Sequence, residues 1–473
     1  MAAIRAGAAA LLIVLSAVAA AAECDSGARV LSTRDSVPNL VAGPAAWSGL
    51  LLAVAKTDEN APGDVWLALY DEEMERLIGD RRIAIDAAPG GIIGLLWNGV
   101  EFHLFYRSTT ERIHLQRLTP FGESIGGPTV VNPSRRARLG DEFEAVWSPA
   151  LNATVLAQHI PSGTTRGIYV TLVGPTGVQQ PEQRLVAAPA AATDLEVAVT
   201  DAGTIGVFYA AENGELWVST IIRGGFTPTP GTTGLRGKVF EAAAQGELFV
   251  VTRLLEEEAG EEAKIHWFVI EPDRDFVVED ELLIEAENGD EFELRSLVSN
   301  GDELALVYEE GQPGLRLRRF TIDGTLLSDS QFSTDFAARS AVSDFPPVWT
   351  GTSYFTAAVR ELSMTSYLLR YCPLTVEISA PARVAPGQPV LLVGTASGGK
   401  PPYEFEWTIS RDPGGPRRQE AIQRTFADVG VRTITLTVTD ADGNRVTRTV
   451  TIEVSEDTPP PPPPPSRRRS VRH

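Results

Sequence analysis

The chain is predicted to be all-β: a seven-bladed β-propeller followed by a small immunoglobulin-like β-sandwich. Three observations carry that prediction. Trp47, Trp97 and Trp147 stand fifty residues apart, and Trp349 falls close to the same phase. Each repeat carries a turn in the same phase, usually centred on glycine. Near the C-terminus, a strictly alternating segment follows the repeats. A repeat of about fifty residues with four short strands per unit describes one propeller blade.

The second strand of each unit is the clearest. It reads Leu50–Val54, Glu101–Tyr106, Ala153–Leu156, Thr204–Tyr209, Glu247–Val251, Glu303–Tyr308 and Tyr354–Ala357, which gives seven units. Before it stand Ser48-Gly49, Asn98-Gly99, Ala202-Gly203, Gln245-Gly246, Asn300-Gly301 and Thr350-Gly351. Such pairs between apolar runs mark tight hairpins, because positive φ costs little at glycine. A third strand is marked by Trp66, Tyr169, Trp217, Trp267, Leu317 and Tyr367. A shorter fourth follows, as at Leu77-Ile78-Gly79 and Thr325-Leu326-Leu327.

The seventh unit stops after its third strand, at Cys372, and has no fourth strand of its own. The segment Ala28–Arg34 resembles the fourth strand of the first unit, Glu75–Arg81. Set beside the seventh unit, it closes the ring. That placement brings Cys24 near Cys372, the only two cysteines, and predicts a disulfide between them. Closing a loop of roughly 350 residues contributes about 4–5 kcal/mol before strain is subtracted. Two unrelated free thiols are the plainer alternative. Neither cysteine has a CxxC partner or a nearby histidine, so a metal or catalytic role has no support.

Residues 1–22 read as a signal peptide: a short basic start at Arg5, an apolar run and a small-residue end at Ala20-Ala21-Ala22. Glu23 before Cys24 disfavours lipidation. No other stretch approaches the roughly 20 apolar residues of a membrane span. The expected location is therefore exported: periplasmic, cell-surface or extracellular. The expected boundaries are 23–373 for the propeller, 374–456 for the sandwich and 457–473 for a disordered tail. That tail runs through seven prolines, Pro459–Pro465, into Arg467-Arg468-Arg469.

The formal net charge of −21 disfavours nucleic-acid partners. Only four of the 41 basic residues are lysine, a bias that reads as genomic. Between Glu256 and Glu303 there are 18 acidic residues against three basic ones. Solvated loops and outer strands account for this most simply. A sector that collects calcium or docks a basic partner is the sharper reading, but no stretch has the regular oxygen spacing that calcium loops use.

The second domain is carried by Gly398-Gly399-Lys400-Pro401-Pro402-Tyr403, then Trp407, then Thr425–Asp440 with period-two alternation from Arg432 to Val438. Residues 374–455 resemble the polycystic-kidney-disease (PKD) family, which shares the Gly-Gly-x-Pro-Pro-Tyr-x-x-x-Trp run and the Leu-x-Val-x-Asp strand. That resemblance implies an immunoglobulin-like spacer or adhesion module without catalysis. The family's acidic turn after the tryptophan is replaced here by Ser410–Gly415. The repeat half is similar to secreted bacterial repeat proteins whose blades carry Trp-x-Gly-x-x-Tyr/Phe, closest at Trp349–Tyr354. In such blades the tryptophans fill the gap between neighbouring sheets, so Trp47, Trp97, Trp147 and Trp349 are expected in the core. Sugar stacking at the ring mouth is the alternative role.

Catalytic motifs are missing from the chain. It has no HExxH, GxSxG or GxxxxGK[ST], and its five histidines are scattered. His103 and His114 read as side chains on sheet faces, and Asp440–Asn444 as a hairpin turn. No catalytic, cofactor or metal residue is therefore assigned. The expected function is a non-catalytic binding or surface-interaction protein, a monomer whose partner is an extracellular polysaccharide or a surface protein. The alternatives are a polysaccharide hydrolase or lyase with a carboxylate site at the propeller mouth, and a structural part of a larger surface assembly.

Overall fold

The computed structural model describes residues 27–456 except 32–39, 59–62, 133–135, 139–140, 162–165, 187–193, 212, 223–228, 238, 256–262, 287–291, 311, 333–344, 361–364, 413–414 and 442. Residues 1–22, expected to be a signal peptide, Cys24 and the proline-rich tail lie outside the described residues. The chain divides into two compact units, Asp25–Cys372 and the segment from Pro373 onward. Among the described residues every regular element is a strand.

The first unit is a ring of four-stranded antiparallel sheets. Blade 1 is Leu40–Trp47, Leu52–Asp58, Gly63–Tyr70 and the start of Arg76–Trp97. Blade 2 is the end of that same strand, then Phe102–Ser108, Ile113–Leu118 and Thr129–Val130. Blade 3 runs from Glu142–Ser148 to Gly177–Val186, blade 4 from Leu195–Val199 to Thr229–Arg236, blade 5 from Val239–Gln245 to Phe276–Glu285, and blade 6 from Phe292–Ser299 to Leu326–Gln331. Blade 7 holds Val348–Trp349, Tyr354–Arg360 and Thr365–Tyr371, and its outer strand is Gly27–Val30 from the N-terminus. The register sets Gly27 opposite Arg370 and Val30 opposite Tyr367, and Leu31 N–H donates to Ser366 O at 3.0 Å. The missing fourth strand is thus supplied from the far end of the chain.

The hairpin phase has a backbone cause. Gly49, Gly99, Gly203, Gly246, Gly301 and Gly351 all have φ between +60° and +104°. Beside five of the six the space is open, so conformation alone selects glycine there. Blade 3 has no glycine at this turn, and Asn152 takes the left-handed position instead, with φ 49°.

Each junction between neighbouring blades has its own apolar core, and the second strands feed two of them at once. In blade 4, Ile205, Val207 and Tyr209 pack toward blade 3, whereas Phe208 and Ala210 pack toward blade 5. A strand buried on both faces reads as an unbroken apolar run, which is why these strands stood out in the sequence. The last junction joins Phe355 and Leu368 of blade 7 to Leu52, Val54 and Tyr70 of blade 1, closing the ring with Leu31 in the same cluster.

One strand departs from expectation. Arg76–Trp97 runs unbroken for 22 residues, from the outer edge of blade 1 to the inner position of blade 2. Its register shifts between Ala87 and Ile92. A Cβ at Gly91 would sit 2.6 Å from Ala88 O and 2.7 Å from Arg107 O, so only glycine fits this bend.

The second unit is a two-sheet sandwich. Thr375–Ser379, Pro389–Ser397 and Ala421–Thr425 form one sheet. The other has the order Arg383–Val384, Arg445–Val454, Gly430–Thr439 and Glu404–Ile409. The alternation read from the sequence is observed: Ile434, Leu436 and Val438 are buried, while Thr435 and Thr437 pair outward with Thr449 and Thr447 at 3.2 and 2.9 Å. Trp407 is 1% exposed and donates from Nε1 to Gln419 O at 2.7 Å. Asp440 is engaged within the hairpin. Its carboxylate accepts N–H bonds from Asn444 at 2.9 Å and Lys400 at 3.1 Å. A side chain at Gly399 would meet that carboxylate at 2.6 Å.

Candidate functional site: the central channel

Innermost strands from all seven blades line one channel with a volume of about 900 Å³. That lies within the size range of small-ligand sites. Its wall has two unlike sides. The tryptophans that close the inner strands of blades 7, 1, 2 and 3 (Trp349, Trp47, Trp97 and Trp147) form an aromatic arc. Blades 3, 4 and 5 contribute Glu144, Glu196 and Glu241. Each glutamate stands three residues before the last wall residue of its strand, Trp147, Val199 or Ala244.

Trp97, Trp349 and Trp47 pack against the apolar cores between blades, as expected, but none of the four tryptophans is fully enclosed. All four are only half-buried. They pack on blade cores on one side: the Trp97 and Phe102 rings are 4.8 Å apart, those of Trp349 and Tyr354 4.6 Å, and His103 meets Trp147 edge-on at 6.2 Å. They also line the channel, so packing and lining fall to the same residues.

The carboxyls crowd one another. Burial, and then the charge of Asp194, pushes Glu144 up to about 8. Burial also raises Glu196 and Glu241 well above the ordinary carboxyl range, reinforced by their mutual repulsion and by Glu144 and Asp194. Asp194 is raised to about 6 by burial, although its carboxylate accepts N–H bonds from Phe240 at 3.3 Å and Leu195 at 3.1 Å. The Ala242 N–H lies against Glu196 and the Leu297 N–H against Glu241. These contacts partly satisfy the bare inner edge of each next blade. Glu144 has no such bond among the described residues. Arg295 of blade 6 is the nearby cation, but it already bonds Glu309 at 2.8 Å and Glu293.

The mouth at the tryptophan end repeats the division. The turn tips Leu50 and Val100 of blades 1 and 2 are 68% and 73% exposed, whereas Asp201, Glu247 and Asp302 are the exposed acidic residues of the blade 4, 5 and 6 turns.

The acidic run 256–303 contributes none of the three glutamates. Its described part forms the third strand and the charged outer strand of blade 5, where Asp280 pairs with Arg253, and the start of blade 6. Among the described residues, no three His, Cys, Asp or Glu side chains are arranged to hold a metal ion. His103 is fully buried between Asn98 and Glu101 at 3.0 Å from each, and His114 lies 3.2 Å from Tyr106 Oη, so both are engaged within blade 2. Cys372 is buried, with Sγ 3.6 Å from Ser353 Oγ. It directly follows the strand that pairs with Gly27–Val30. Because Cys24 lies outside the described residues, the bridge is a prediction: non-reducing peptide mapping is expected to recover a Cys24–Cys372 cross-linked peptide, and a free Cys372 thiol in exported protein would refute it.

Fold and channel together define a β-propeller with an appended β-sandwich. No family model and no curated protein matches the chain. Among solved structures it is similar to the BP39L lectin from Burkholderia pseudomallei, at 13% identity and a TM-score of 0.52, covering 71% of this chain and 96% of the lectin. It is also similar to the extracellular domain of BT3049 from B. thetaiotaomicron (9% identity, TM-score 0.43, 91% of this chain) and to a Mycobacterium tuberculosis puromycin-hydrolyzing peptidase (13%, 0.46, 84%). The chain spans only 57% and 58% of those two longer proteins. At 13% identity the likeness to the lectin bears on the fold alone.

Proposed function

We propose that this is an exported, monomeric, non-catalytic binding protein that takes an extracellular polysaccharide, or the glycan of a surface protein, at the aromatic side of its channel. The PKD-like sandwich serves as spacer or adhesion module. The observation that carries the reading is the arc of four half-buried tryptophans facing a channel of about 900 Å³. Flat aromatic faces held by a rigid scaffold supply large contact area at little entropic cost, and such residues dominate binding energy. Trp97→Ala is expected to weaken glycan binding by about tenfold or more, read as the ligand-induced change in tryptophan fluorescence. A panel of neutral, acidic and amino polysaccharides with no binder, or a binder indifferent to Trp97→Ala, would count against the channel.

One observation favours a second reading, a glycan-cleaving enzyme. Glu144 near 8 and Asp194 near 6 would leave one carboxyl protonated and another ionised at neutral pH, as acid–base cleavage of a glycosidic bond requires. New reducing ends or unsaturated products, lost in Glu144→Gln, would establish that reading in place of simple binding.

A further inference from the structure

We propose that the ligand is a saccharide carrying a free, protonated amine, with its ring on the tryptophan arc and its ammonium among Glu144, Glu196 and Glu241. This inference rests on the channel being the saccharide site and specifies which saccharide. Three independent features point the same way. The first is placement: the acidic arc begins on the same inner strand, Glu142–Ser148, that ends the aromatic arc at Trp147. Glu144 lies about 10 Å along the strand from Trp147 and on its opposite face, so a saccharide on Trp147 reaches it across the channel rather than along one face. Tryptophan is also the aromatic partner that favours cations most.

The second is an open carboxyl, half-buried rather than sealed in the core. The Glu144 carboxyl lies in the channel wall without a hydrogen-bond donor among the described residues. The charge of Arg295 acts on Glu241, but no protein cation bonds Glu144 among the described residues. Arg295 is held by Glu293 and Glu309, His159 Nδ1 is 3.1 Å from Glu142, and Arg107 reaches the wall from the second strand of blade 2. The remaining charged groups near the arc, Asp141, Glu142 and Asp194, are acidic. A cation from outside would relieve the repulsion that raises these carboxyls.

The third is the rim of turns, where blades 4, 5 and 6 expose Asp201, Glu247 and Asp302 while blades 1 and 2 expose Leu50 and Val100, with Glu72 bonded to Thr352 on the aromatic side. A cationic ligand is drawn toward the acidic sector before contact, since like-signed charges at a cleft raise the local concentration of the opposite charge.

Binding of a cation here requires ionised carboxylates, so it expels protons that the empty channel holds. Affinity should therefore rise with pH while the amine stays protonated, by up to about tenfold per pH unit for each proton released.

The experiment is calorimetric titration of the full chain with a trimer of glucosamine and with its N-acetylated counterpart, at about pH 5 and about pH 7. The free-amine trimer is expected to bind at least about tenfold tighter at the higher pH, more weakly at the lower pH, and with release of protons to the buffer. The preference should collapse in Glu144→Gln/Glu196→Gln, with the Trp97→Ala variant losing both ligands. Equal binding of the two trimers would overturn the amine inference and leave the channel as a saccharide site. Amine binding that persists in Trp97→Ala would overturn both. Spermidine binding as tightly as the amine trimer would overturn the saccharide part of the assignment, and binding of neither trimer would overturn the proposal outright.

Discussion

Replacing Glu303 with alanine is expected to destabilise the propeller by about 3–5 kcal/mol, the cost of removing one partner from a buried ion pair. Arg319 grips Glu303 through two hydrogen bonds, 2.7 and 2.6 Å, and both side chains are about nine-tenths buried. Tyr354 Oη of blade 7 donates to the same carboxylate at 2.9 Å, and Asn300 Nδ2 donates to Tyr354 Oη at 3.0 Å. Glu303 therefore ties blade 6 to blade 7 near the place where the ring closes. Burial alone would lower the Arg319 pKa, but the carboxylate outweighs it and holds the guanidinium firmly charged. Without Glu303 that charge stays in a dry junction with its strongest partner gone. Urea unfolding followed by tryptophan fluorescence reads the loss, and a change below about 1 kcal/mol would contradict the account. Glu303→Met combined with Arg319→Met should recover much of the stability, because replacing both charges removes the desolvation penalty as well. Blade 2 carries the same device, Glu101 with Arg117 at 2.6 and 2.9 Å. There the Arg117 side chain is 31% exposed, so Glu101→Ala should cost less.

The second large effect is an inverted pH dependence. Most proteins lose stability on mild acidification because paired carboxylates must protonate. The carboxyls of the channel wall, and Asp194 beside them, act in the opposite sense. Their folded pKa values lie above the unfolded ones, from 4.5 to about 8 at Glu144 and from 3.8 to about 6 at Asp194, with Glu196 and Glu241 shifted the same way. Between those limits the native state binds more protons than the unfolded state, so stability is present at low pH and is lost as pH rises through the folded values. Glu101, held below its ordinary range by hydrogen bonds from Arg117 and His103 against the effect of burial, acts only below this window, whereas His103, whose pKa burial lowers, opposes the trend within it. The four raised groups should prevail over most of the window. The melting temperature without ligand is expected to rise as pH falls from about 8 to about 5, and Glu144→Gln to flatten that slope while stabilising the protein near neutrality by on the order of a few kcal/mol. A melting temperature that falls steadily over the same range would sink the picture of a strained acidic arc.

Much of the architecture was legible in the sequence because it rests on local signals. A second strand buried on both faces must be apolar throughout, and the seven such runs gave the blade count. A tight hairpin needs positive φ, and glycine marks it at six of the turns; Asn152 performs the task in blade 3 and is harder to recognise. The unpaired third strand of the last unit called for a partner, and the N-terminal segment was the spare strand available. By contrast, the acidic run 256–303 drew attention by density alone, whereas the carboxyls that meet are Glu144, Glu196 and Glu241, spread over about a hundred residues. The available signal was their common phase in three successive repeats. The Glu303–Arg319 and Glu101–Arg117 clasps left a comparable trace, a glutamate after each Asn-Gly turn and an arginine 16 positions later.

The sequence alone therefore determined the repeat, the strands, the turns and the chain segment that closes the ring, because periodicity and backbone conformation are properties of neighbouring residues. Only the tertiary structure decided what the tryptophans and glutamates do. A residue at a given phase of an inner strand can end between blades or on the axis, and its ionisation depends on which distant residues share that axis. Ring closure sets Trp47, Trp97, Trp147 and Trp349 against a common space with Glu144, Glu196 and Glu241. The low-dielectric surroundings then turn ordinary side chains into an aromatic wall facing carboxyls that resist ionising.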